Sequence, residues 1–132
     1  MKRVPLLPKL IIETLNDFHI TRLENEVYEL TTPFLDIRND YINIYIEPYE
    51  DGYIISDDGY IQSELQLLDK DIKQLKTSFN IFNIVDNTIQ FSDFEVIIAE
   101  NELIMKTKLD TIREDVLKFL KVVLALELDV HG

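Results

Sequence analysis

The chain has 132 residues, enough for one domain whose core needs no covalent staples. It has no cysteine, which excludes a disulfide, a thiolate metal site and a thiol nucleophile, and no apolar run approaches the length of a bilayer span. A formal net charge of −12 argues against direct contact with nucleic acid, whose phosphates would repel it.

A 46% hydrophobic and 29% charged composition is ordinary for a globular protein, and three glycines and four prolines leave little room for linkers. We therefore read residues 1–132 as a single domain. Lys2 and Arg3 give a basic start, but Lys9 interrupts the apolar run and no small-residue cleavage site follows. No signal peptide is read and a cytoplasmic location is expected. The charge is unevenly spread. Residues 23–69 hold twelve acids and one base, Arg38, so −11 of the −12 falls there.

In chain order, residues 9–19 predict a helix, with Leu7, Ile11, Leu15 and Phe18 at helical spacing, Pro8 in the first turn and His19 at the end. His19 reads as a boundary histidine, because a general base needs partners that the sequence does not supply. Residues 26–31 alternate as a strand that stops at Pro33 or lies at an edge, since proline cannot donate to a ladder. Residues 40–47 give the clearest strand. Ile42, Ile44 and Ile46 point to the core, with Tyr41, Asn43, Tyr45 and Glu47 on the outer face. Residues 48–52 form a hairpin loop with Gly52 available for positive φ, and residues 53–56 return. Residues 57–59 form a turn in which aspartates cap local N–H groups.

Residues 63–79 predict an amphipathic helix with a Leu65, Leu68, Ile72, Leu75, Phe79 stripe and a Ser63–Gln66 capping box. Its stripe reads as core packing, not a coiled coil. Residues 81–85 are short and apolar, residues 88–91 alternate, and residues 94–99 read as a buried strand. After a turn at Glu100 and Asn101, residues 102–107 are a strand with Leu103 and Met105 inward, or else an early start of the last helix. Asp110 or Thr111 caps that helix, with a Thr111–Glu114 capping box. Between Val116 and Leu128 it is apolar nearly all round and calls for cover on more than one side. The expected fold is α+β and two-layered: an antiparallel sheet of five to six strands with three helices, in the order α-β-β-β-α-β-β-(β)-α.

Most catalytic signatures are absent: no nucleophile elbow, phosphate-binding loop, dinucleotide fingerprint or zincin motif. His19 and His131 are the two imidazoles, and His131, next to last, reads as part of a mobile terminus. One acidic constellation stands out, Asp36, Asp40, Asp57 and Asp58 with Arg38 and Tyr60. Paired carboxylates of this kind bind Mg²⁺ or Ca²⁺ through oxygen. Turn chemistry explains each aspartate separately, however, so no metal, cofactor or catalytic residue is assigned and a metal-dependent enzyme ranks last.

Thr32-Pro33-Phe34-Leu35-Asp36, Asn39-Asp40-Tyr41-Ile42 and Ser56-Asp57-Asp58-Gly59-Tyr60 resemble the core of a small bacterial and prophage family catalogued as a domain of unknown function. The resemblance implies a phage, prophage or mobile-element setting and carries no activity over. The order of elements is also similar to that of type III secretion chaperones, which are acidic dimers; that is analogy of fold alone. Setting and charge together lead to the expectation of a non-enzymatic inhibitor of a host nucleic-acid-handling defence protein, of anti-CRISPR or anti-restriction type, with an acidic surface that copies part of a duplex. Its partner would be a basic protein, with no nucleic acid or membrane bound directly. The contact residues expected are Asp36, Asp40, Tyr41, Tyr45, Glu47, Glu50, Asp51, Asp57 and Asp58. A homodimeric adaptor, paired through the helix face from Val116 to Leu128, is the second reading.

Overall fold

The computed structural model describes residues 15, 18–75, 83–91 and 93–131. Eight strands form one fully antiparallel sheet: β1 (His19–Arg22), β2 (Tyr28–Leu35), β3 (Tyr41–Tyr49), β4 (Gly52–Ser56), β5 (Asn83–Val85), β6 (Thr88–Gln90), β7 (Glu95–Ile98) and β8 (Leu103–Thr107). Their order is β1-β2-β3-β4-β8-β7-β6-β5. The chain builds one half of the sheet as a meander, makes α1 (Tyr60–Leu67), and builds the other half inward from the far edge. The last strand, β8, closes the two halves against β4. α2 (Ile112–His131) then covers the core.

Register follows the apolar alternation. Tyr28 faces Ile46, Leu30 faces Ile44, Ile46 faces Ile55, and Ile55 faces Met105. The same face continues through Leu103, Val96 and Ile89. Ile42, Ile44 and Ile46 are at most 2% exposed, so a one-residue slip would carry three isoleucines to water at roughly 6 kcal/mol. Onto this face pack Ile61 and Leu65 of α1 and Ile112, Val116, Phe119, Val123 and Leu126 of α2. The inward placement of Leu103 and Met105 settles residues 103–107 as strand.

The α+β character and the antiparallel sheet hold, but the count of five to six strands and three helices is wrong. The described residues hold eight strands and two α-helices. The predicted first helix falls mostly on residues outside those described, and His19, read as its end, opens β1 instead. β1 escaped the sequence pattern because it is four residues long and mostly exposed. The helix expected over residues 63–79 begins earlier and ends sooner. It starts at Tyr60, capped through Asp57 and not through a Ser63–Gln66 box: Asp57 Oδ2 accepts the Ile61 N–H at 2.9 Å. It stops at Leu67 in a Schellman turn, where Lys70 N–H bonds the Leu65 carbonyl and Asp69 N–H the Gln66 carbonyl. Asp69 there takes the left-handed conformation at φ 54°. A short 3₁₀ turn follows at Ile72–Gln74, and residues 76–80 lie outside the description.

Pro33, read as ending its strand or lying at an edge, and Pro48, read as part of the hairpin loop, both lie within strands. β2 runs through Pro33 because pairing with β3 is bulged between Thr31 and Leu35, where no N–H is needed. Pro48 lies in β3 beyond the last β2 partner, so it misses no ladder bond on that side. The β3–β4 turn is therefore Glu50 and Asp51 alone, with Glu50 at φ 53°. Gly52 is needed for space instead of for positive φ, because a Cβ there would lie 2.4 Å from the Thr107 carbonyl oxygen. At the start of α2, the Thr111 hydroxyl bonds Asp115, not Glu114, and Thr107 of β8 donates to the same carboxylate at 2.7 Å.

Candidate functional site

The nine residues singled out from the sequence do not form one surface. β3 alone spans roughly 30 Å, and they are strung along it and its turns. Five places emerge.

Asp36 ends β2 as the acceptor of an aspartate turn. Its Oδ1 takes the N–H groups of Arg38 at 2.8 Å and Asp40 at 3.0 Å, and Asn39 supplies the left-handed residue at φ 64°. Burial alone would raise its carboxyl, but these two N–H donors, with the Tyr60 hydroxyl and Arg38 beside it, hold it below its ordinary value. Asp40 itself is exposed, as is the neighbouring Tyr41, 58% exposed on the outer face.

Asp57 is 1% exposed. It accepts N–H groups from Gly59 at 3.0 Å, Ile61 at 2.9 Å and Leu103 at 3.0 Å, which ties the start of α1 to β8. Burial outweighs these donors and sets its carboxyl above the usual range. With its oxygens so engaged, Asp57 holds the fold and offers no contact surface. Asp36 and Asp57 therefore answer to separate partners and do not form the paired-aspartate cation site.

Glu50 and Asp51 mark the hairpin tip. Positive charge is close by: Lys108 Nζ lies 3.6 Å from Asp51, and Lys106 sits over the Tyr49 ring at 5.4 Å. The tip is partly neutralised.

On the outer face around Tyr45, four carboxylates line a hollow of about 440 Å³. Tyr45, Leu23, Val27 and Ser56 are among the residues that line it. Glu24, Glu47, Asp58 and Glu102 line it as well, and among the described residues no basic side chain does. The Tyr45 hydroxyl donates to Glu29 at 2.8 Å. Burial, that carboxylate and the charge of Asp58 push the phenol up to about 12. Burial also raises Glu102, together with the charges of Asp57, Asp58 and Glu47. Three of the nine sequence choices, Tyr45, Glu47 and Asp58, meet here. Glu102 was missed because it follows the turn before β8, 44 to 57 residues from them in sequence, and only the β4–β8 pairing brings it alongside.

A fifth place was half seen. Arg38, Asp36 and Tyr60 do come together, but the carboxylates that join them are Glu64 and Glu127. Arg38 Nη2 contacts Glu64 Oε2 at 2.5 Å, and the Tyr60 hydroxyl lies 2.7 Å from Glu127 Oε2 and 3.2 Å from Asp36 Oδ2. Burial and these carboxylates push the Tyr60 phenol far above its ordinary range. His131, read as a mobile terminus, is the last residue of α2. Its ring is 19% exposed, 3.1 Å from Glu64 and 3.5 Å from Glu127. The Glu127 and His131 spacing of four, one helical turn, is the signal that could have found them.

The wide apolar face of α2 is largely spent on the chain's own core. Val116, Phe119, Leu120, Val122, Val123 and Leu126 are buried, leaving Leu117 at 48% and Leu128 at 62% exposed. No described helix is long and apolar enough to cross a membrane.

A family model described as domain of unknown function DUF1828 matches residues 32–126, from the second half of β2 to the middle turns of α2. No curated protein and no solved structure matches the chain.

Proposed function

The chain belongs to the DUF1828 family, and since that membership carries no activity with it, we propose from the surface chemistry that the protein is a non-catalytic binding module for a basic protein. The supporting observation is the hollow around Tyr45, lined by that ring and four carboxylates with no base among the described residues. Such a hollow suits an arginine side chain: the guanidinium stacks on the phenol ring while carboxylates accept its N–H donors. The class of partner that carries exposed arginines on a working surface is the nucleic-acid-handling protein. The reading is thus an inhibitor of a defence protein of that class in a phage or mobile-element setting, acting inside the bacterial cell. Glu24, Glu47, Asp58 and Glu102 stand in for phosphates.

The test is capture of a basic protein from a bacterial lysate at low and at high salt, with the wild type and with a Glu47→Lys, Asp58→Lys, Glu102→Lys variant. A nucleic-acid-binding protein held by the wild type at low salt and lost by the variant supports the reading. Equal retention by both removes it.

A homodimeric adaptor remains the second reading, resting on Leu117 and Leu128, exposed on α2 with the partly buried Leu124 between them. Light scattering that gives a strict monomer removes it.

A further inference from the structure

The cluster at the C-terminal end of α2 has an inner and an outer side. Three carboxylates converge there, Asp36, Glu64 and Glu127, at 9%, 3% and 8% exposure. Burying three negative charges is costly unless each is paired. On the outer side Arg38 takes Glu64 Oε2, the Tyr60 hydroxyl lies 2.7 Å from Glu127 Oε2 and 3.2 Å from Asp36 Oδ2, and two backbone N–H groups satisfy Asp36 Oδ1. On the inner side His131 Nε2 faces Glu64 Oε1 and Glu127 Oε1, and one ligand atom from each of the three residues lies within 4.8 Å of the others. One imidazole N–H can satisfy one carboxylate oxygen. Glu127 Oε1 has no hydrogen-bond partner, although its side chain is only 10% exposed.

We propose that Glu64, Glu127 and His131 bind a divalent first-row cation, Zn²⁺ by preference, through these three inward atoms. Arg38 pairs with Glu64 but, among the described residues, no base pairs with Glu127 other than His131, and a divalent ion would supply positive charge between the two glutamates while imidazole donates its lone pair. Zn–N and Zn–O bonds near 2.1 Å put tetrahedral ligand atoms roughly 3.4 Å apart. His131 Nε2 lies 3.1 Å from Glu64 Oε1 and 3.5 Å from Glu127 Oε1. The mixed nitrogen and oxygen donor set favours zinc over the oxygen-seeking Mg²⁺ and Ca²⁺. The outer contacts of Arg38 and Tyr60 are the arrangement that orients metal-binding carboxylates. Three protein ligands, one of them the His131 ring at 19% exposure, leave a fourth position for water or a partner's side chain. This site is separate from the hollow around Tyr45 and does not depend on it.

The test titrates the full chain, stripped with EDTA, with ZnCl₂ by calorimetry and with CoCl₂ by visible absorption. The expected result is one equivalent bound, with cobalt ligand-field bands. His131→Gln and Glu127→Gln should each weaken zinc at least about tenfold, and Tyr60→Phe, which removes an outer contact, by about tenfold as well. Glu50→Gln with Asp51→Asn at the hairpin tip should leave it unchanged. Should Glu127→Gln fail to fold, His131→Gln, at the partly exposed helix end, carries the test, with circular dichroism confirming its fold. No saturable zinc binding by the wild type, as expected if a His131 imidazolium bridges the two glutamates internally, overturns the proposal. So does zinc binding that His131→Gln leaves intact.

Discussion

Asp57 and Asp36 look alike in the sequence, each an aspartate at a turn, yet they stabilise the molecule with opposite pH signatures. Asp57 satisfies three backbone N–H groups at 1% exposure, so Asp57→Ala strands buried donors on two elements at once. We expect a loss of about 3 kcal/mol from Asp57→Ala and about 1 kcal/mol from Asp57→Asn, which keeps one carbonyl oxygen, measured by urea unfolding. Asp36 is held below its ordinary value by its N–H donors despite burial. Its folded pKa thus lies under the unfolded value of about 4, so its contribution is complete above that pH and disappears as the pH falls through the folded value. Comparing wild type with Asp36→Asn from about pH 6 down to about pH 3 isolates this term from the other carboxyls. The stability gap between them should be largest at the upper end and shrink on acidification; a gap that widens instead would give Asp36 the wrong sign. Asp57, raised by burial, contributes in the reverse direction and is unchanged in that comparison.

At the level of elements, α1 shows what periodicity reads well and what it reads badly. The Leu65, Leu68, Ile72, Leu75 stripe is a true record of helical spacing, but Leu68 is 44% exposed and Ile72 is buried from a 3₁₀ turn instead of from the same helix. What stops α1 is Asp69 in the left-handed conformation, a backbone choice that no apolar pattern reports. Asp69 sits where glycine is the usual residue of a Schellman turn. Asp69→Gly removes the strain of that conformation and should raise stability by about 0.5 kcal/mol, net of glycine's own entropy, read as a higher urea midpoint at unchanged slope. β3, which carries the core, was legible because alternation over nine residues with a buried face leaves one register, whereas the five residues of β8 fitted a strand or an early start of the last helix until their pairing with β4 decided it. β1 and β5 were not legible, being three or four residues long and held by pairing with a neighbour more than by their own side chains. The bulge that lets β2 run through Pro33 is likewise a property of the pair, not of either strand.

For the molecule as a whole, an acidic segment was legible from composition, but its shape was not. Of the twelve acids in residues 23–69, Asp36, Asp57 and Glu64 are buried and hydrogen-bonded, and the hairpin tip is offset by Lys106 and Lys108. The exposed negative charge gathers instead where β3 and β4 meet the turns before α1 and β8, drawing in Glu102 through pairings that sequence alone does not give. This location makes a demand on binding that total charge does not. If the hollow around Tyr45 takes a guanidinium, a short arginine-rich peptide should bind at low ionic strength, and duplex DNA should not bind at any salt. Attraction should fade between about 0.1 M and 1 M salt, as the screening length shrinks from about 10 Å to about 3 Å. Tyr45→Ala leaves the net charge untouched but removes the stacking ring, so it should weaken the peptide by roughly threefold to fivefold, the worth of one exposed cation–π contact. Glu47→Gln with Glu102→Gln should weaken it further and flatten its salt dependence, while Glu50→Gln with Asp51→Asn, the same charge change at the tip, should do little. Fluorescence anisotropy of a labelled peptide reads all four proteins. Equal losses from the two charge pairs would mean that the peptide responds to net charge alone and that the hollow has no special part in it.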